Sequence, residues 1–370
     1  MASINTTKAQ VTRQAGNPPH TRQLDLLMGF LSVLLVSGLF IDGWAHNRGI
    51  VDETFFTPYH FVMYASYALF GLTLVVMHYR NVGKGYRFMS ALPKGYMISL
   101  IGVFIFGSGG FGDMIWHTFF GIEDGIEALY SPTHLVLGIG YVTVLAGILQ
   151  SYWVRPEPVS GWRDLAPVLI IATCILSILT FFTQHLHFVS NFEGILNRPI
   201  GYDNQEAITT AVMSSYIIVS ALMVGTLLFL MRRWKLPVGA ITFVLTLDSI
   251  LMGLMLIFDT ELDFMTILLL MSLIAAPTLL SGIVGDVLIW RLKITQHTPD
   301  KIRIVVTVIG ALLSILYLAA IAILGVMEDS RFWWEIHTWA GIPTLAAIGA
   351  FLLSYLVFPP QIPQEQDDLR

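Results

Sequence analysis

Charge is what this sequence has least of. Only 12% of its 370 residues are charged, whereas about 25% is usual in soluble domains. Hydrophobic residues make up 55% of the chain, and the mean hydropathy is +0.71. This composition excludes an ordinary soluble enzyme and indicates a protein embedded in a lipid bilayer. With 20 basic against 25 acidic residues, nothing indicates a nucleic-acid partner.

Cysteine is also nearly absent, since Cys174 is the only one and lies in an apolar run. An intrachain disulfide and a thiolate metal cluster are therefore excluded. The sequence also has no Ser-His-Asp elbow, Walker loop, CxxC pair or haem-attachment motif. Residues 1–23 are polar, and the apolar run after them is too long for a signal peptide and has no cleavage site. We expect them to form a short cytoplasmic tail.

Apolar runs long enough to cross about 30 Å of hydrocarbon occur ten times. Backbone polar groups must be satisfied internally in lipid, so these runs predict an all-α, polytopic transmembrane bundle. The predicted spans are 24–46, 57–78, 96–118, 130–153, 165–187, 207–231, 237–258, 264–290, 304–327 and 334–357.

The basic residues predict the orientation of the bundle. With both termini in the cytoplasm, all but three of the 20 basic residues fall in cytoplasmic segments, the exceptions being Arg48, Arg198 and Arg331. This asymmetry is typical of a multi-pass protein of the plasma (inner) membrane. The opposite loops are rich in acidic residues, which predicts either a solvated rim or a surface that attracts cations or a basic partner.

An internal repeat lies in the first half of the chain. The segment from Asp42 and the segment from Asp113 both read Asp-x3-His, then an acidic loop, then a polar residue, Pro, one residue and His. Fainter copies follow, in which Asp263 takes the place of His117. We therefore divide the chain into a tail (1–23), duplicated helix pairs (24–153), a degenerate second half (154–291), a final helix pair (292–357) and a cytoplasmic tail (358–370).

The repeated residues form the first candidate site. Asp42 and His46 are four residues apart, so they share one face at the outer end of the first span. His60 follows at the start of the second span, where Pro58 suits the first turn of a helix. Because neighbouring spans joined by a short loop pack together, we expect these three side chains to converge. Two imidazoles and one carboxylate then form a ligand set for a first-row metal.

Asp113, His117 and His134 repeat this geometry on the third and fourth spans. The two sets predict either separate metal sites or one dinuclear site. His185 and His187 are further candidate ligands at the same membrane face. Acidic loop residues would orient the imidazoles or act as a general base, the candidates being Glu53, Glu123 and Glu127.

Two other features lie within the predicted spans. Asp248 and Asp286 are ionisable residues in apolar helices, which suits either a proton relay or a helix-packing hydrogen bond. The GSGG segment at 107–110 predicts close helix packing or a local bend.

The segment DGWAHNRGIVDETFFTPYHFVMYASY, which begins at Asp42, resembles the metal-binding segment in one of the membrane subunits of the particulate methane and ammonia monooxygenases. These are copper-dependent membrane enzymes. The resemblance implies that Asp42, His46 and His60 are copper ligands. The second copy fits the same pattern more loosely through Asp113, His117 and His134.

Three functions are consistent with these residues. The first is a copper-binding membrane protein that performs or supports the oxidation of a small apolar substrate at the outer leaflet. The second is a zinc-dependent intramembrane hydrolase that uses the same ligands and one of the three glutamates as general base. The third is a non-enzymatic metal transporter or a structural component that assembles with other membrane proteins.

Overall fold

The computed structural model describes residues 14–50, 57–121, 126–156, 159–190, 192, 205–257, 262–327 and 336–360. Within these ranges the protein is entirely helical and contains no strand. The α-helices are α1 (Arg22–Asn47), α2 (Pro58–Gly83), α3 (Tyr96–Phe120), α4 (Ile126–Leu129), α5 (Pro132–Trp153), α6 (Gly161–Phe182), α7 (Gln205–Arg233), α8 (Ala240–Leu256), α9 (Phe264–Arg291), α10 (Pro299–Met327) and α11 (Ile336–Val357). Two 3₁₀ turns occupy Phe88–Ser90 and Gln184–Leu186.

Nine of the described helices are long and apolar enough to cross a membrane, which defines a multi-pass membrane protein. The remaining predicted span, 237–258, forms the shorter helix α8 of 17 residues. Such a helix is about 25 Å long. It begins only at Ala240 because Gly239, at φ +93°, lies in the left-handed region just before it. The helical class predicted from the sequence is thus confirmed, and this span is shorter than predicted.

The chain divides into two compact units. Unit 1 comprises Met1–Asp42 and Ile50–Glu157, and unit 2 comprises Gly43–Gly49 and Pro158–Arg370. Unit 1 therefore contains most of α1 together with α2, α3, α4 and α5. Unit 2 contains the last turn of α1 and helices α6 to α11.

Helices α3 and α5 of unit 1 pack backbone to backbone. A Cβ atom placed on Gly102 would lie 2.5 Å from the Val144 nitrogen, and one on Gly140 would lie 2.6 Å from the Phe106 nitrogen. Real side chains do not make such contacts, so only glycine permits this approach. The Ser99 hydroxyl also donates to the Val144 carbonyl oxygen at 2.7 Å. This close packing fixes the two helices that carry the second set of candidate ligands.

The GSGG segment of α3 serves packing in the same way. A Cβ on Gly107 would meet the Tyr67 hydroxyl at 2.6 Å, and one on Gly110 would meet the Tyr64 ring at 2.8 Å. The absent side chains therefore leave room for two tyrosines of α2.

Asp248 and Asp286, two ionisable residues within apolar helices of unit 2, accept hydrogen bonds from neighbouring helices. Asp248 Oδ1 accepts from the Ser177 hydroxyl at 3.0 Å and from the Thr180 hydroxyl at 2.9 Å. Asp286 of α9 accepts from the backbone nitrogens of Ile241 and Thr242 in the first turn of α8. Since Gly239 at the start of α8 has no side chain to cap that helix, Asp286 supplies the missing acceptor. Both residues therefore make hydrogen bonds that hold packed helices together.

Candidate metal sites

The second set of candidate ligands lies entirely in unit 1. Asp113 and His117 occupy successive turns near the end of α3, and His134 lies in the first turn of α5. Asp113 is almost fully buried, at 1% exposure. Each of the three residues offers one ligand atom, and these three atoms all lie within 4.8 Å of one another. We call Asp113, His117 and His134 the second cluster.

Both imidazoles of the second cluster face the same carboxylate. His117 Nε2 lies 3.6 Å from Asp113 Oδ2, and His134 Nε2 lies 3.6 Å from Asp113 Oδ1. These separations exceed the usual 2.7–3.2 Å of a hydrogen bond. Two ligands bound at about 2.1 Å to a tetrahedral ion stand about 3.4 Å apart. The spacing is therefore close to that of ligands that share one metal ion.

The other ring nitrogens of these histidines have partners of their own. His117 Nδ1 lies 3.0 Å from the Gly121 carbonyl oxygen, which can only accept, so Nδ1 carries the proton. His134 Nδ1 lies 2.7 Å from the Ser131 hydroxyl oxygen. Metal-binding histidines usually donate from the second nitrogen in this way, which leaves a lone pair on the first for the metal. Both rings are thus oriented with Nε2 toward Asp113.

Asp113 is also held in place. The Thr133 hydroxyl donates to Asp113 Oδ1 at 2.8 Å. This bond connects α3 to the first turn of α5 and fixes the carboxylate between the two imidazoles.

The first cluster, Asp42, His46 and His60, has a similar arrangement. Asp42 Oδ2 lies 3.5 Å from His60 Nε2, and both residues are buried in unit 1. His46 follows Asp42 by one turn of the same helix and completes a set of three ligand atoms within 4.8 Å. The structure therefore brings together all six residues predicted from the repeat, as two groups that could hold a metal ion.

Similar helix starts position His60 on α2 and His134 on α5. Thr57 is the N-cap of α2 and accepts from the His60 nitrogen at 3.0 Å, while Ser131 is the N-cap of α5 and accepts from the His134 nitrogen at 3.3 Å. Proline follows the cap in both helices. Sequence reasoning assigned no role to Thr57 or Ser131, although a Ser or Thr before a helix-starting proline is an N-cap signal.

Asp42 and His60 of the first cluster lie near the second cluster within unit 1. The charges of Asp113 and His117 act on Asp42, and the charges of both aspartates act on the Tyr64 phenol. The ring of Tyr64 lies 6.2 Å from that of His60. Phe106 packs beside Tyr64 and contacts Tyr141 at 4.6 Å between ring centroids. A buried aromatic group therefore adjoins the clusters.

The further candidates have different surroundings. His187 is fully buried in unit 2, with Nε2 3.8 Å from Asp248 Oδ2 and Nδ1 accepting from the Val189 nitrogen. His185 is in the 3₁₀ turn after α6. Asp263 is the N-cap of α9 and accepts from the backbone nitrogens of Met265 and Thr266.

The three candidate glutamates cannot be assigned a place at the clusters. Glu53 and Glu123 lie outside the described residues, as does the side chain of Glu127, whose backbone belongs to α4. Their predicted roles as orienting groups or general base stay predictions.

Replacing Ser131 with alanine should weaken metal binding at the second cluster. The change removes the hydroxyl that holds His134 Nδ1 as well as the cap of α5. Loss of such an orienting partner typically lowers metal affinity about 10- to 100-fold, and loss of the cap costs about 1 kcal/mol. Competition with a chelator of known affinity measures the first effect, and thermal unfolding measures the second.

Ser160→Ala is the matched control. Ser160 is the N-cap residue of α6, but its side chain makes no capping hydrogen bond. This variant should keep the metal affinity and the stability of the wild type. Equal metal affinities in Ser131→Ala and the wild type would show that Ser131 does not orient a ligand.

The fold and the two clusters thus define a multi-pass helical membrane protein with two sets of residues that could hold a metal ion. No protein-family model, no curated protein and no solved structure matches the chain.

Proposed function

We propose that this protein is a membrane-embedded metalloprotein that binds copper and performs or supports the oxidation of a small apolar substrate. The observation that carries the proposal is the second cluster, in which two imidazoles direct Nε2 at one buried carboxylate while their Nδ1 atoms are held by other groups. The same type of ligand set is available in the first cluster.

The donor set narrows the metal to a few ions. Imidazole nitrogen suits copper, zinc, iron and nickel, whereas calcium and magnesium prefer sites made only of oxygen. Two histidines and one carboxylate fill three positions and leave others open to an exogenous ligand. The choice of copper among these ions follows from the resemblance of the Asp42 segment to the copper membrane monooxygenases.

The surroundings suit an apolar substrate. The side chain of His134 is 23% exposed, compared with 2% for Asp113, so the second cluster is accessible from the His134 side. Phe119 and Phe120, at the end of α3, are 78% and 70% exposed. Such exposed aromatic side chains at the end of a membrane-spanning helix would contact lipid, where a small apolar molecule concentrates. Such a substrate would reach the cluster from the bilayer.

Each residue of the second cluster would have a separate role at the metal ion. Asp113 would balance part of the charge of the ion, and His117 and His134 would bind it through Nε2. A bound copper ion would supply the ability to react with dioxygen. Phe106 and Tyr141, both buried, would keep water away from the reacting groups.

Metal loading of the purified protein tests this function. The protein in lipid nanodiscs is washed with a chelator, and separate samples are then loaded with Cu(I), Zn(II) or Fe(II). Metal is counted by mass spectrometry, and oxygen uptake is followed with short hydrocarbons in the presence of a quinol, which supplies the two electrons that reduce the second oxygen atom to water. We expect up to two copper ions per chain, nitrogen ligation in X-ray absorption spectra, and oxygen uptake that requires both copper and substrate.

Other outcomes would point to other functions. Tight zinc binding without oxygen uptake would replace the proposal with a hydrolase. If no metal remains bound after loading, the protein is not a metalloprotein, and a structural role in a membrane complex becomes the better hypothesis.

A further inference from the structure

Unit 1 contains a lipid-sized cleft that the metal clusters do not use. Helices α1 and α2 touch near the clusters, where a Cβ on Gly38 would lie 2.9 Å from Met63 Cα. Toward their other ends they border an open cavity of about 650 Å³, which residues outside the two helices, such as Pro18 and Tyr86, also line. Leu24 and Leu27 line it from α1, and Leu72 and Val76 line it from α2. Helix contact at one end and a cavity at the other make the cleft a wedge.

The chemistry of the cleft changes along its length. Leu27 and Leu72 are 43% and 62% exposed, so its walls are apolar and accessible. Arg80, in the last turn of α2, and Lys84, the residue that caps the end of α2, line its far end and are exposed. Among the described residues that line the cleft none is acidic, and neither basic side chain pairs with a described carboxylate. Two positive charges thus stand at the end of an apolar slot, and no carboxylate of the described residues pairs with them.

The dimensions match one leaflet of a bilayer. Leu72 and Lys84 are twelve positions apart, or about 18 Å at the rise of a helix, and the hydrocarbon of one leaflet is about 15 Å thick. His60, at the start of α2, is twenty residues before Arg80, or about 30 Å along the helix. The cleft therefore lies at the end of the helices opposite the clusters, with its basic pair at the depth of the lipid headgroups.

We propose that this cleft is a binding site for an anionic phospholipid. One acyl chain would lie between α1 and α2 against Leu27, Leu72 and Val76, and the phosphate would contact Arg80 and Lys84. Basic pockets between transmembrane helices are a recurrent way of binding anionic headgroups. The site does not involve the metal clusters, so the proposal of a lipid site does not depend on the proposed function.

Retention of defined lipids tests the site. The protein is reconstituted in nanodiscs with equal amounts of phosphatidylglycerol and phosphatidylcholine of the same chain length, transferred to detergent, and examined by native mass spectrometry. Two positive charges near the headgroup predict a preference of about 30-fold for the anionic lipid. Arg80→Gln with Lys84→Gln should abolish that preference, and Val76→Trp, which fills the slot, should lower retention of the bound lipid.

Arg22→Gln with Arg87→Gln is the matched control. Both arginines are exposed residues of unit 1 that do not line the cleft. This control removes the same charge and should keep the preference. Equal retention of the two lipids by the wild type would overturn the proposal. So would an equal loss of preference in the Arg80/Lys84 variant and in the control, because the effect would then be one of overall charge.

Discussion

Asp113→Asn is expected to remove metal from the second cluster while the fold is retained. Asparagine has the shape of aspartate, and its amide oxygen can still accept the hydrogen bond from the Thr133 hydroxyl. The change deletes the one negative charge that both imidazoles face at 3.6 Å. Because loss of an orienting neighbour alone costs up to about 100-fold in affinity, loss of this ligand should cost more. Chelator competition with Cu(I) measures the change.

Asp164→Asn serves as the control for charge. Asp164 is an exposed acid in the first turn of α6, so its replacement alters net charge equally without touching either cluster. It should leave the metal affinity unchanged. Retention of wild-type affinity in Asp113→Asn would exclude Asp113 as a ligand and remove the main support for the proposed function.

The same experiment distinguishes two sites from one dinuclear site. Tyr64 adjoins both clusters, because its ring lies 6.2 Å from the ring of His60 and packs against Gly110, one turn before Asp113. If the clusters bind independently, Asp113→Asn lowers the stoichiometry from two to one and Asp42→Asn does the same. If they form one dinuclear site, either change should weaken both ions, and the double variant should show non-additive losses.

The helical parts of the clusters were predictable from spacing alone. A separation of four residues places Asp113 and His117 on successive turns of one helix face, whatever the rest of the fold does. The Thr-Pro and Ser-Pro pairs predict helix starts, so the positions of His60 and His134 in the first turns of α2 and α5 also follow from local chemistry. Convergence of the two helix ends required only that short connections join neighbouring helices.

What the sequence could not predict are contacts between groups far apart along the chain. The bond from Thr133 to Asp113 depends on the register of α5 against α3. The placement of Asp286 at the first turn of α8 depends on how α9 crosses that helix. The packing of Tyr64 against Gly110 depends on the rotation of α2. Each is set by tertiary packing, which hydropathy and local spacing do not encode.

Gly140→Ala should destabilise the protein strongly. The new Cβ would lie 2.6 Å from the Phe106 nitrogen and 2.7 Å from its Cα. Backbone atoms of a packed helix cannot rotate aside, so α3 and α5 would have to separate. Overpacking of this kind costs about 1–3 kcal/mol, and we expect the upper part of that range. Unfolding in nanodiscs or mild detergent, followed by circular dichroism, measures the loss.

Gly349→Ala provides the opposite expectation from the same chemical change. A Cβ on Gly349, within α11, would meet nothing within 4 Å. Alanine is favoured over glycine in a helix by up to about 1 kcal/mol, so this variant should match or exceed the wild type in stability. A Gly140→Ala protein as stable as Gly349→Ala would contradict the close packing of α3 and α5.

The Gly140→Ala variant also connects packing to metal binding. Asp113 and His117 belong to α3, whereas His134 belongs to α5, so separation of these helices moves His134 Nε2 away from the carboxylate. Asp42 and His60 belong to α1 and α2, which supply none of the three atoms nearest to the new methyl group. Metal affinity should therefore fall at the second cluster and persist at the first. An equal fall at both would mean that the two clusters share their ion, and no fall at either would mean that α5 supplies no ligand.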